Sequence, residues 1–442
     1  MARIYPFFLA LLYTACSPSL EDQIEKLAGK GDEFEEAKKE LLVATDQAVQ
    51  PLLESLQDPH LAAARPEIVD VLSSLLARLD DQQIFTVLQE HLRDDPDPRV
   101  RARIAYRMGV YKRQEAIPTL LEILKDKDSE VRYQALVALD LLEGKLNQAH
   151  KEILKKSARE LLADPHQGVR LEATIRVENF VQDWIREARE LELKAQLQEA
   201  EATYHKALAY SPTSKQANFR LGLFYFANQE REQGLELLRR HGLLLDVPLL
   251  NDAPIIDGRL DEAFWQQAAR ADTFSQVSHY HNAVLPSQVL TTIYLAYTHE
   301  AFYFGAHCYD AHPESLVVES AEHDNLKAHQ DLIEMHHQPQ YGQLNYSYIG
   351  INRNAIITDA WDTGNDWNRD FTWDPETAVA THVGADFWSA EYKVEWGQMH
   401  FPQPQPGVIW GFDSIRGFRG REYSKWPLSH GGPDEHGLLL FK

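Results

Sequence analysis

Cysteine and positive charge are scarce in this chain of 442 residues, which has 2 cysteines and 44 Lys+Arg against 67 Asp+Glu, a formal net charge of −23. A protein that neutralises phosphates needs a basic surface, so the deficit argues against nucleic acid and anionic lipid headgroups as partners. Neutral ligands, cations and basic proteins remain. Beyond the first residues no apolar run is long enough to cross a bilayer. The G-x-S-x-G elbow, the H-E-x-x-H helix and the phosphate loop are also missing. Among 67 acidic residues no carboxylate pair is marked out for glycoside hydrolysis, so no catalytic residue is assigned. A glycan-processing hydrolase is then an alternative by association only, and no organic cofactor is expected.

What is present starts with a targeting pattern. Arg3 supplies a short positive region, residues 4–12 an apolar run, and Tyr13-Thr14-Ala15-Cys16 small residues before a cysteine. This resembles the lipobox of bacterial lipoproteins, with Tyr13 where leucine is usual. The resemblance implies a signal peptide over 1–16, lipidation of Cys16, a tether over 17–24, and an exported protein anchored in the bacterial cell envelope. Two or more acyl chains make a firm anchor. Ser17 after that cysteine favours the outer membrane by enterobacterial sorting rules. Cys308 alone then remains, which excludes an intramolecular disulfide in the mature chain, and its setting in FYFGAHCYD reads as a small buried hydrophobe.

The next stretch repeats. Leu52, Leu53, Glu54, Leu56 and Asp58 match Leu120, Leu121, Glu122, Leu124 and Asp126, and a middle copy carries Leu88, Leu92 and Asp94. Arg65, Arg101, Arg132 and Arg170 form a second ladder, the last three preceded by valine. The aspartates are placed to cap helices and the arginines to pair with a neighbouring aspartate. DPDPRVRARIAYRMG and KDSEVRYQALVAL resemble HEAT repeats, which implies an α-solenoid over 25–182. Between 183 and 248 the period becomes 34, with Ala200, Tyr204 and Ala207 answered by Gly234, Leu238 and His241, similar to tetratricopeptide repeats. These helical repeats carry the rival reading, a scaffold for a protein partner with the following domain as a docking module.

From PIIDGRLDEAFW, 254–265, the character changes: eight of the nine tryptophans follow position 254. Trp388, Ala390, Tyr392, Val394 and Trp396 alternate with polar residues, as a half-buried antiparallel strand does. A hairpin is expected across Thr298-His299-Glu300, with further strands near 332–335, 345–351, 379–383, 408–415 and 438–441. Many short strands point to an antiparallel β-sandwich over 250–442.

The densest constellation is DAWDTGNDWNRDFTWD, 359–374, read as a loop in which Trp361, Trp367 and Trp373 fall among five aspartates. Aromatic faces stack on the C–H faces of a sugar ring while carboxylates, amides and guanidinium groups bond its hydroxyls. Core packing is the competing account of these tryptophans. The aspartates Asp362, Asp366 and Asp370 are candidate Ca2+ ligands, although the residues do not match an EF-hand loop.

The opening motif, YLAYTHEAFYFGAHCYD, DLIEMHHQP, FWSAEYKVEW and the late VIWGFDSIRG run in order similar to the family 9 carbohydrate-binding modules, over nearly all of 250–442. The resemblance implies a secreted glycan-binding β-sandwich that grips sugar between tryptophans and carries structural calcium. Asp257, Gly258, Leu260, Asp261, Trp265, Asp310, Asp331, Glu334, Trp388, Glu391, Trp410, Gly411 and Arg416 match framework motifs. Asn352, Arg353 and Arg416 are candidate polar contacts to the ligand. Gly397 stands where the family has proline. His323, His329, His336 and His337 flank the acidic strand: His329-x-Asp331 and Glu334-x-His336 suit a transition metal, and surface histidines are the simpler account. Met335 and Met399 admit a haem reading, since related sandwiches bind haem through Met and His. Taken together, the sequence implies a lipid-anchored protein in which an α-solenoid carries a glycan-binding β-sandwich.

Overall fold

The computed structural model describes residues 19–228, 230–277, 284–315, 322–325, 330–341, 345–362, 369–399, 402–428 and 436–442. Cys16, His329, Asp366 and Trp367 lie outside them. The chain divides into two compact units, Met1–Arg176 and Val177–Lys442.

In the first unit the leucines that recur in sequence form the buried stripes of paired helices. Asp46–Gln57 packs on Arg65–Leu79, Gln82–Asp94 on Pro98–Val110, and Ile117–Glu122 on Ser129–Leu141. Leu52, Leu56, Leu88, Leu92, Leu120 and Leu124 are all buried. The arginine ladder ties each pair to the next. Arg65 reaches Asp95; Arg101 holds Asp126 through two bonds of 2.8 Å; Arg132 holds Asp164 at 2.7 and 2.8 Å. The partner in the middle copy is therefore buried Asp95, while Asp94, expected from the repeat, is exposed. Two of the helix caps fall two residues further on, at Asp97 and Asp128.

Burial raises the carboxyls of Asp95, Asp126 and Asp164, but the arginines and the local hydrogen bonds outweigh it and hold all three below the ordinary 3.8. A carboxyl depressed by folding adds stability that is present above its unfolded value and lost as the pH falls through its folded value. The helical unit should therefore lose stability as the pH drops below 3.8. A urea midpoint, followed by far-UV ellipticity, that stays constant through that range would contradict the ladder's role.

In the second unit three helices, Leu197–Tyr210, Lys215–Ala227 and Arg231–Arg240, lead into a β-domain. Gly222 and Gly234 permit the last two to close on each other: a Cβ on Gly234 would lie 2.5 Å from the Gly222 carbonyl oxygen. The strands are β1 (Leu244–Val247), β2 (Ala269–Ala271), β3 (Ser275–Gln276), β4 (Leu285–Pro286), β5 (Thr291–Tyr297), β6 (Ala301–Tyr309), β7 (Leu332–Gln338), β8 (Tyr346–Asn352), β9 (Ile357–Asp362), β10 (Arg369–Asp370), β11 (Thr377–Val383), β12 (Phe387–Glu395), β13 (Ile409–Phe418), β14 (Glu422–Trp426) and β15 (Gly437–Phe441). A small sheet runs β11-β12-β6-β5-β2 and a large one β10-β9-β8-β7-β13-β14-β3-β4, with β15 on β13 and β1 parallel to β15. Phe302, Phe304, Trp388, Tyr392, Met335, Ile349, Trp410 and Phe412 fill the space between the sheets. Cys308 is buried there, its thiol pushed up to about 11 by burial, as a hydrophobe would be.

One expectation shifts. The sheet begins at Leu244, before residue 250, and Phe219, Leu235 and Leu238 of the preceding helices pack on Leu438 and Leu440. The opening PIIDG stretch is not a strand: it wraps a carboxylate. Glu391 of β12 accepts the backbone N–H of Asp257 and Gly258 (2.8 Å each) and Leu260 (3.1 Å), and the indole N–H of Trp265 (2.8 Å). Gly258 has φ +87°, and a Cβ there would meet the Thr381 backbone at 2.5 Å, so glycine is required.

Candidate functional site

Strand alternation sends every second side chain of β7, β8, β9, β13 and β14 to the outer face of the large sheet. On that face the sequence supplies polar and aromatic residues. His336 pairs in register with both Tyr348 and Asp413, Tyr346 with Asp362, and Asp362 with Arg369. Lys425 projects from β14 and His436 stands just before β15. Elsewhere the same face is covered by the helices Lys215–Ala227 and Arg231–Arg240.

Asp413 is fully buried, with Lys425 Nζ at 2.7 Å, His336 Nδ1 at 2.8 Å and His436 Nε2 at 2.9 Å. Burial raises its carboxyl, but Lys425 and the two imidazoles hold it well below the usual carboxylate range. The rings of Tyr346 and Tyr348 lie 5.2 and 5.4 Å from that of His336. Tyr348 donates to Glu334 (3.0 Å), Tyr346 to Asp362 (2.9 Å), and the Arg369 guanidinium sits 4.3 Å above the Tyr348 ring. Burial, and then Glu334, push the Tyr348 phenol well up; burial also raises Glu334, against the pull of His336. The side chains of Glu334 and Arg369 keep 18% and 30% of their surface exposed, so the cluster reaches solvent on their side. Buried polar groups are expensive unless paired, and perturbed titratable groups gather at functional sites.

The tryptophan and aspartate segment is arranged differently. Residues 359–362 belong to β9 and 369–370 to β10, so the expected loop is partly strand. Trp361 and Trp373 do come together, edge to face at 6.2 Å, but against the interior: Trp373 is buried and donates to the Gln398 carbonyl at 3.3 Å. Asn352 is fully buried, its side-chain oxygen accepting the N–H of Asn354 and Ile356. Arg353 donates to the Pro313 carbonyl. Arg416 is fully buried, lies 5.0 Å from the Trp388 ring and pairs with Asp331 at 3.4 Å. Its guanidinium is committed to the interior. Met335 and Met399 are likewise core residues.

Asp362 is fully buried between the Tyr346 hydroxyl and Arg369, and Asp370 is exposed and accepts from Thr372. Asp359, Asp374 and His323 do converge; one Asp359 oxygen is buried without a partner, and burial pushes its carboxyl up to about 6. His336 and His337 are buried, which corrects the surface account of these histidines; burial pushes His337 down to about 3. Tyr346, Tyr348, Asp413, Lys425 and His436 were not singled out from sequence. The usable signal is polar and aromatic residues two apart, Glu334-x-His336 and Tyr346-x-Tyr348, in strands whose other face is core.

A family model for HEAT repeats matches residues 85–178. Comparison with curated proteins gives no match. Among solved structures the chain is similar to a family 9 carbohydrate-binding module from Caldicellulosiruptor kristjanssonii, in complexes with glucose and with cellotriose. In both the identity is 17%, the TM-score 0.32 and the coverage 45% of this chain, against 95% and 93% of theirs. It is also similar to the CpcE–CpcF complex of phycocyanin lyase from Nostoc sp. PCC7120, at 24% identity, TM-score 0.29, and coverage of 35% of this chain and 96% of that one. The fold class is helical repeats followed by an antiparallel, sandwich-like domain.

Proposed function

We propose that the chain is a glycan-binding protein whose ligand seats on the outer face of the large sheet. The observation that carries this reading is the cluster itself: the rings of Tyr346, Tyr348, His336 and His436 beside Glu334, Asp413, Lys425 and Arg369. The four rings are buried and back the site, while the partly exposed Glu334 and Arg369 offer the acceptor and donors that match hydroxyl groups. Acids and bases are nearly balanced on the face, which favours a neutral glycan. The sequence resemblance to family 9 carbohydrate-binding modules supports the same ligand class. Within this reading the helical repeats display the head, acylated Cys16 holds the protein at a bacterial outer membrane, and a structural Ca2+ takes the carboxylates of Asp359 and Asp374.

Calorimetric titration of the intact chain with a panel of neutral oligosaccharides, with and without Ca2+, tests the proposal. Saturable heat with at least one glycan is the expected result. No heat with any of them would sink it.

A further inference from the structure

We propose that His336, Asp413 and His436 form a site for one borderline divalent cation of the Zn2+ kind. The three come from β7, β13 and the segment before β15, and one donor atom from each lies within 4.8 Å of the others. The inference does not depend on glycan binding.

The geometry around Asp413 is unusual for a set of hydrogen bonds. Its two oxygens have nitrogens at 2.7, 2.8 and 2.9 Å, yet among the described residues neither has an aligned hydrogen-bond partner. The nitrogens are within hydrogen-bond distance of the carboxylate oxygens, but out of line for donating to them. Among the described residues the outward nitrogens, His336 Nε2 and His436 Nδ1, are buried with no hydrogen-bond partner. His336 and His436 are more than nine-tenths buried, so water is not an easy substitute. If each ring gives its inward proton to Asp413, its outward nitrogen is a dry lone pair facing no donor, which is unfavourable.

A cation reverses that arrangement. The inward nitrogens then present lone pairs to the ion, and the proton of each ring moves to the outward nitrogen. For His336 that nitrogen has Glu334 Oε2 4.0 Å away, beyond hydrogen-bond distance but on the side from which a carboxylate would accept the N–H of a metal-bound histidine. Lys425 stays on Asp413 Oδ2, at 2.7 Å, and holds the oxygen that the ion does not use. Its ammonium repels the ion, so it weakens the site without abolishing it. Two imidazoles and one carboxylate suit Zn2+, whereas Ca2+ and Mg2+ prefer all-oxygen shells.

The test uses the full chain stripped with a chelator, with ZnCl2 alone as the probe and no sugar present. Expected are one Zn2+ per chain, no competition from excess CaCl2, and at least a ~10-fold loss of affinity in His336→Gln and in His436→Gln. His436 lies outside the strands, so His436→Gln is the variant least able to disturb the sheet. Lys425→Met should bind Zn2+ more tightly than the native chain. Co2+ added to the native chain should give the visible absorption of a low-coordinate site, a readout that needs no variant to fold. Absence of stoichiometric Zn2+ in the native chain, or unchanged affinity in both histidine variants, would overturn the proposal.

Discussion

Glu391→Ala is expected to destabilise the second unit by at least ~3 kcal/mol, because it strands two buried donors, each worth roughly 1–3 kcal/mol when left unpaired, and two part-buried ones. Four N–H groups, from Asp257, Gly258, Leu260 and Trp265, converge on this one carboxylate and draw a strand-free segment onto the small sheet. Glu391→Gln should do damage too, since an amide keeps one acceptor and turns an NH2 group toward backbone donors. All nine tryptophans lie at or after residue 184, so their fluorescence during denaturation reports on this unit alone. An unchanged denaturation midpoint for Glu391→Ala would show that the wrapped segment contributes nothing to the fold.

Arg416→Met is the second large effect, expected at roughly 3–5 kcal/mol, because it breaks a fully buried ion pair with Asp331. Both side chains are fully buried, and the arginine also donates to the Leu332 carbonyl at 3.2 Å. Changing Asp331 to leucine in the same chain should recover much of the loss, since a buried ion pair replaced by apolar groups is often neutral. The coupling, read from the four denaturation midpoints of the double-mutant cycle, separates this role from ligand binding. A singly substituted Arg416→Met chain with native stability and lost glycan binding would return Arg416 to the binding site.

What the sequence made legible was whatever a period could encode. Leucine spacing gave the paired helices, because each helix must bury one stripe. Strict alternation at Trp388, Ala390, Tyr392 and Val394 gave β12 and its buried face. Three arginines of the ladder do pair with aspartates, but Asp95 and not Asp94 faces Arg65, Arg170 bonds the Asp164 and Pro165 carbonyls instead, and adjacent aspartates are indistinguishable by pattern alone. The opening motif matched a family but hid its reason, since Glu391 lies 134 residues from Asp257. The site was the least legible part. Tryptophan density drew attention to 359–374, yet Trp361 and Trp373 pack on the core. The polar face is assembled from β7, β8, β13, β14 and the segment before β15, and no local window contains it. A register such as His336 opposite Asp413 appears only once the strands are paired.

The central claim is that ligand binds on this outer face and not at the tryptophan pair. The most direct test is calorimetric titration of the best-binding oligosaccharide into the native chain, Tyr348→Ala and Trp361→Phe, each first checked for native melting. Tyr348→Ala should lose the ring on which Arg369 lies and the donor to Glu334, and bind at least ~10-fold more weakly, about 1.4 kcal/mol. Trp361→Phe should bind as the native chain does. The reverse result, with binding kept in Tyr348→Ala and lost in Trp361→Phe, would contradict the account.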